Sequence, residues 1–517
     1  MRLTKYWKSD LPDTVEVADL DPETYKSELN RVYRKLDLYL IPPLWIVYFL
    51  TSADRSNVGL ALTMNSSTGD SIIQHLDLTS RDLSLALAFF YVGYLVFDAP
   101  FNLIMTKIAP HAWMSRIVIS IGIVASCMAA CNSGWSFILV RTLLGVTEAG
   151  MWPGMAYYMT LWYPAKRCAR RIGFYFTAAQ ISASVVGLVS AGFQLMNGAR
   201  GLTGYQWMFL IYGVLTVLSG VLILFWLPDR PRFDRHGTSF LNSNSKFLRV
   251  WKRITRRYLL SGLDADLHMT DMRYTYSGEG KQWTWKDVWN IIIDPFLWPL
   301  IIMYFGVVGV GIGVQNFATI ILRTINPQWS SITLSLLTAP IWLADLIGIL
   351  IFTPISDRFS KYRYCFFIFS SLIIIAGLFV TTYAGPEWGR YAGLLVVGFG
   401  LGPTVPITMA WTAEIFGHRH KEVGQALATA LVSGLGNLGS VTTTYALYTG
   451  WPADAARQYK YSNMVMVGML GASILSALLV RFLLKVLKRD AFMYEDPADN
   501  LQQHNVTQEQ NVAADKF

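Results

Sequence analysis

Ionic side chains stand inside stretches that are otherwise apolar: Asp54-Arg55, Asp98, Arg141, Glu148, Asp345 and Glu414. A charged group in hydrocarbon costs at least about 2.5 to 3.5 kcal/mol on insertion scales, so each needs a partner, water or a task. Arg141 and Glu148 are seven residues apart, which on a helix is about two turns, on one face and separated by about 10 Å along the axis. At about 1.5 Å per residue, Arg55 and Arg141 fall at similar depth in the same half of a bilayer. Two guanidiniums so placed can grip one carboxylate from two sides, each offering a planar fork of donors. Asp54 and Glu148 then suit proton exchange, because the charge state of a carboxyl beside an arginine depends on what else that arginine holds. The competing reading is that two acids and two bases only neutralise one another and hold helices together.

The remaining polar groups are less specific. Gln180, Gln315, Asn316 and Asn437 suit hydrogen bonds to a ligand or to a neighbouring helix. Asp98, at the end of its span, is read as a cap or as the partner of loop cations. Glu414 is read as a surface pair with Arg419, and Asp345 has no evident local partner. Within the spans the sequence shows neither a metal-ligand cluster nor a nucleophile and base pair, so no enzyme, metal centre or cofactor is expected. Cys127, Cys131, Cys168 and Cys365 read as reduced packing residues.

The elements that must position these groups follow from composition. The chain has 517 residues, 53% hydrophobic and 15% charged, with a formal net charge of +9; an average soluble domain is roughly 25% charged. That excludes a secreted disulfide scaffold, a disordered protein and most cytosolic enzymes. About twelve stretches have the roughly 20 apolar residues a bilayer core requires, one set between Leu38 and Leu227 and another between Pro295 and Leu487. An all-α membrane protein with twelve transmembrane helices in two sets of six is expected. Its parts are a tail over 1–36, a first set over 37–227, a central loop over 228–293, a second set over 294–489 and a tail over 490–517.

Lys and Arg concentrate in alternate loops, as at Lys166, Arg167, Arg170 and Arg171 or Arg358, Lys361 and Arg363, which places both termini in the cytosol. The acceptor triplet Asn65-Ser66-Ser67 then falls outside and is expected to be glycosylated, unlike Asn505-Val506-Thr507 in the cytosolic tail. No signal peptide precedes the first span. In the central loop, Leu248 to Arg257 forms a basic amphipathic strip, read either as lying on an anionic leaflet or as a solvated connector; nucleic-acid binding is not expected. Trp283, Trp285 and Trp289 fit an interfacial anchor.

The two sets of six, the Arg141-x-x-x-Gly145 run and the Ser356-Asp357-Arg358 turn resemble the major facilitator superfamily. Asp54-Arg55-Ser56-Asn57, Phe97-Asp98-Ala99-Pro100-Phe101-Asn102, Gly145-Val146-Thr147-Glu148-Ala149-Gly150 and Gly436-Asn437 are more specific and resemble its anion:cation symporter family. Trp285-Lys286-Asp287 before Asp294-Pro295 is most similar to the fungal allantoate and nicotinate permeases in that family. The resemblance covers Arg34 to Leu487. It implies two six-helix bundles and H+-driven uptake of a small organic anion by alternating access, without a cofactor and as a monomer. Asp54 and Glu148 match the proton-carrying positions, and Arg55 and Arg141 match those that bind substrate. Gln180 and Asn437 match polar substrate contacts, and Asp98, Asn102, Asp357 and Arg358 match gating or structural positions. The wholly basic Arg167-Cys168-Ala169-Arg170-Arg171, the Lys107 to His111 loop and Asp345 depart from the pattern. The resulting expectation is a symporter of H+ and a small carboxylate, such as nicotinate, allantoate or a related vitamin. It is placed in the plasma membrane, with the endoplasmic reticulum or vacuole as alternatives. Export coupled to H+ and a non-transporting nutrient sensor are the rival readings.

Overall fold

The computed structural model describes residues 20–228, 263–276 and 285–487, with Val17 and Leu260 beside them. The basic strip at 248–257, Trp283, Asn505 and the tail from 490 onwards lie outside these residues. Every regular element described is helical. The first, α1 (Pro22–Ala61), starts where the Asp21 carboxylate accepts the Thr24 N–H at 3.1 Å and Pro22 occupies the first helical position. Its 40 residues amount to about 60 Å, twice the thickness of a bilayer core, so the helix begins well inside the segment assigned to a tail.

Five more spans complete the first bundle. These are α2 (Ser80–Lys107), α3 (Pro110–Cys127), the pair α4 (Gly134–Glu148) and α5 (Met151–Trp162), α6 (Ala165–Leu195) and α7 (Gly204–Trp226). The central segment contributes α8 (Leu263–Tyr276) and α9 (Trp285–Ile292). The second bundle comprises α10 (Leu297–Ile325), α11 (Ser331–Arg358), α12 (Arg363–Tyr383), α13 (Glu387–Gly436), α14 (Leu438–Ala446) and α15 (Lys460–Val486). Ten described helices are long and apolar enough to cross a membrane. The fourth and eleventh spans are the two missing from that count. The fourth is cut into pieces of 15 and 12 residues, and the eleventh continues from α13 and is interrupted at Asn437 before α14. A straight 50-residue α13 would reach about 75 Å. Its Gly402 packs on Asp345 while its Gly436 packs on Tyr304, so it doubles back to supply both the tenth span and the start of the eleventh.

The bundles meet where α1 faces α10, α6 faces α11 and α2 faces α14. Here we call the end carrying α8, α9 and the start of α1 the tail end, and the opposite one the far end. Near the far end the boundary is stitched across: Gln315 Nε2 donates to Ser56 Oγ at 2.8 Å and Thr319 Oγ1 to the Gly59 carbonyl at 2.7 Å. Ser184 Oγ donates to the Ala339 carbonyl at 3.1 Å, and Gln194 Nε2 to Ser335 Oγ at 3.0 Å. Arg323 donates to Ser66. Gly59 makes the closest crossing possible, since a Cβ there would stand 2.6 Å from the Gln315 carbonyl. The gap left between Ser56, Gln315, Thr319 and Thr338 holds about 10 Å³, room for a single water.

Around the outside, large apolar side chains such as Leu218, Leu475 and Phe482 are exposed, as a lipid-facing surface requires. At the tail end α8 docks on the first bundle: Asp264 pairs with Arg31 and Lys35, Tyr33 Oη donates to Asp271 at 2.5 Å, and His268 Nε2 donates to the Trp162 carbonyl at 2.9 Å. Burial of the His268 imidazole lowers its proton affinity from the ordinary histidine range, against weaker opposing effects of the Trp162 carbonyl and Asp271. After α9, whose Trp289 is exposed, Asp294 binds Arg419 at 2.5 Å. The pairing read from sequence proximity is therefore replaced. Glu414 meets Arg363 at 3.0 Å, because the start of α12 brings that guanidinium beside it, and Arg363 also reaches Asp357 at 3.3 Å.

Candidate functional site

Arg55 lies on α1 two turns beyond Tyr48, so both share a face. Its Nε stands 2.6 Å from Glu148 Oε1, and Glu148 is 1% exposed. The N–H is not aimed along that line, so the contact is an ion pair more than a directed hydrogen bond. Tyr48, Tyr91 and Tyr94 of the first bundle lie within electrostatic reach of Arg55. Tyr304, on α10, does so from the second bundle, which places the pair at the boundary between them. About a fifth of the Arg55 side chain, 21%, stays accessible.

Arg141 is 1% exposed, with its guanidinium 4.8 Å over the Phe90 ring. Its Nε and Nη1 have no hydrogen-bond partner, and among the described residues no carboxylate comes within ion-pairing distance. Gly145, one turn further along α4, lets this helix press against α2, because a Cβ there would run into the Phe90 carbonyl.

The four charges expected to act together are divided. Asp54 precedes Arg55 by one residue, about 100° around the helix, and turns to α7, where Thr216 Oγ1 donates to its Oδ2 at 2.9 Å. Arg55 is held by Glu148 instead of standing free to form a ready-made double clamp with Arg141. The boundary therefore has two guanidiniums and one carboxylate near them. Glu148 also acts on Arg141, but from beyond ion-pairing distance.

The fourth span breaks beside Glu148. Gly150 takes the left-handed conformation, φ +78°, that favours glycine, and its N–H donates to Asp98 Oδ1 at 2.9 Å. Asp98 thus caps a helix break within the membrane, not loop cations. Gln180 faces the Asp345 carboxyl across the bundle boundary. Asn437 uses its Nδ2 locally, donating to the Ser433 carbonyl at 2.9 Å. Asp357 and Arg358 are exposed at the tail end, and the side chain of Asn102 lies outside the described residues.

Asn65 Nδ2 donates to the Gln194 carbonyl at 3.1 Å while its Oδ1 is buried. The amide nitrogen that would carry a glycan is turned inward in the folded chain. Sequence reasoning passed over Tyr48, Tyr91, Tyr94 and Tyr304, and over Asn57, which is fully buried with neither amide atom paired. The seven-residue spacing of Tyr48 and Arg55 was the available signal; aromatics in spans read by default as packing.

The chain matches the Major Facilitator Superfamily over residues 44–443. It is 46% identical over 510 residues to vitamin H transporter 1 of Schizosaccharomyces pombe, covering 97% of this chain and 88% of that one. It is 42% identical over 484 residues to an uncharacterized transporter of the same yeast, covering 92% and 75%. In structure it is similar to a bacterial homolog of the human lysosomal transporter Spinster, in an inward-facing and unoccupied conformation. There the TM-score is 0.63 at 15% identity, with 91% of this chain and 99% of that one covered.

Proposed function

Because the chain belongs to the major facilitator superfamily and is a multi-pass membrane transporter, we propose that it carries a small organic carboxylate together with H+ by alternating access. The observation that carries this reading is Arg141: a fully buried guanidinium whose Nε and Nη1 are unpaired and which, among the described residues, has no carboxylate within ion-pairing distance. A buried cation left so is costly, and an anionic guest would supply both the charge and the acceptors. The substrate carboxylate binds Arg141 and displaces Glu148 from Arg55, which becomes the second arm of the clamp. The freed Glu148 then takes up a proton, since a buried carboxylate without its cation is strongly disfavoured. Substrate and proton are thereby loaded together. Asp54, bonded to Thr216, serves as a second proton acceptor away from the guest.

The far-end stitching between α1 and α10 and between α6 and α11 suits a state open toward the tail end, which the distribution of Lys and Arg assigns to the cytosol. With a relative named as a vitamin H transporter, vitamin H, itself a carboxylic acid, joins nicotinate and allantoate as the substrates to try first. Residence in the plasma membrane follows from uptake. The test is uptake of labelled vitamin H, nicotinate, allantoate and pantothenate by cells expressing the chain, at acid and neutral pH with unlabelled competitors. Saturable accumulation of one of them, stronger at acid pH and abolished by a protonophore, is expected. Uptake independent of the proton gradient, or restricted to cations, would overturn the reading.

A further inference from the structure

Asp345 lies midway along α11, is 3% exposed, and has no ion-pair partner among the described residues. Among the described residues, the elements packed against it offer no charge: α13 presents Gly402, close to the Asp345 carbonyl and Oδ1, and α6 presents the neutral amide of Gln180. Thr338 and Trp342 stand on the same face of α11, and Ala183 on the matching face of α6; all three line the small gap next along the boundary. The pair therefore belongs to the surface on which the two bundles move over each other.

The unpaired atoms are informative. Asp345 Oδ1 and Gln180 Oε1 are both buried and both lack a donor. Each is an acceptor: a charged carboxylate can take an N–H from the Gln180 amide but has no proton to give, so Gln180 Oε1 stays without a donor as long as Asp345 is charged. One added proton resolves both: a protonated Asp345 can donate to Gln180 Oε1 while the Gln180 amide donates back. Buried acceptors without donors are costly, so this exchange favours the packed arrangement of the two helices.

We propose that Asp345 is a positioning residue for transport that, once protonated, ties α11 to α6 across the bundle boundary and so holds the far-end-closed state. The proton comes from water on the far side while the bundles are parted there, forms the O–H bond of Asp345, and is returned to water on the tail side before the far end reopens. The proposal deepens the H+-coupled reading above and rests on it for its place in the cycle.

The test needs neither substrate nor transport. With the four native cysteines replaced, spin labels are attached to Ser67→Cys and Gln328→Cys, exposed far-end positions on opposite bundles. Their distance distribution is measured in lipid nanodiscs at pH 8 and pH 5.5. Acidification is expected to raise the short-distance population of the otherwise unaltered chain. Asp345→Asn, a permanent mimic of the protonated acid, should hold it high at both values. Gln180→Met, which keeps the acid but removes its acceptor, should abolish the rise. A distribution insensitive to pH in the unaltered chain, a normal pH response in Asp345→Asn, or one in Gln180→Met would each overturn the proposal. Failure of carboxylate uptake, by contrast, would overturn the transport reading and leave this measurement unaffected.

Discussion

Replacing Arg141 with Met separates a binding role from a structural one, because the two predict changes of opposite sign. Met fills similar volume and carries no charge. If Arg141 were a structural cation, its removal would break a buried ionic contact and cost about 3–5 kcal/mol. Among the described residues no carboxylate lies within ion-pairing distance of Arg141, Glu148 acts on it only at longer range, and the guanidinium lies over Phe90 with Nε and Nη1 unpaired. Its loss forfeits a cation–π interaction of up to about 2 kcal/mol but relieves a burial cost of about 2.5 to 3.5 kcal/mol. The empty carrier should therefore be as stable as the unaltered one or more so, by up to about 3 kcal/mol. Transport moves the other way. Two charge-assisted hydrogen bonds to a carboxylate, at about 1.5–3 kcal/mol each, amount to a loss of roughly a hundredfold to ten-thousandfold in affinity. The assays are thermal unfolding of purified protein in detergent or nanodiscs and saturable uptake in cells at matched expression. Arg141→Met that unfolds several degrees earlier, or that retains saturable uptake, would refute the reasoning.

Glu148→Gln leaves Arg55 as an unpaired buried charge, so both stability, by about 3–5 kcal/mol, and accumulation against a gradient should fall. Counterflow exchange of labelled substrate should survive in the folded fraction. Gly59→Leu drives a side chain into the Gln315 carbonyl and should part α1 from α10 at the far end; the Ser67 and Gln328 label pair should report the longer distance at every pH. Burial lowers the proton affinity of His268, so docking of α8 gains from the neutral ring. That contribution is complete above the unfolded value of about 6.5 and is lost as pH falls through the lower folded value, which amide exchange of 263–276 at descending pH should show and His268→Gln should abolish.

Span positions were legible because about 20 apolar residues announce themselves, whatever their neighbours. What lay around each charged residue was not. Asp54 and Arg55 are adjacent in the chain yet point about 100° apart, and nothing local says that Thr216 waits on one side and Glu148 on the other. Glu414 looked paired with Arg419 because the two are close in sequence. The partners they take, Arg363 at the start of α12 and Asp294 in the turn between α9 and α10, are brought there by packing, a tertiary fact. The cut in the fourth span was not visible: Gly150 stood only as the end of a motif, since a left-handed backbone leaves no mark on composition. Asp345 stood out in the sequence as an acid without company, and the structure gives it company only from across the bundle boundary.

The cut at Gly150 makes the fourth span an elbow. The upper arm, α4, carries both Arg141 and Glu148, while the forearm, α5, runs on to the tail end where His268 of α8 is bonded. The Asp98 carboxylate acts as a sling at the joint, holding the Gly150 N–H where the two arms change direction. The elbow therefore hangs the span from two separate fixings, Asp98 at the joint and His268 at the wrist, so that strain on one arm need not be carried by the other.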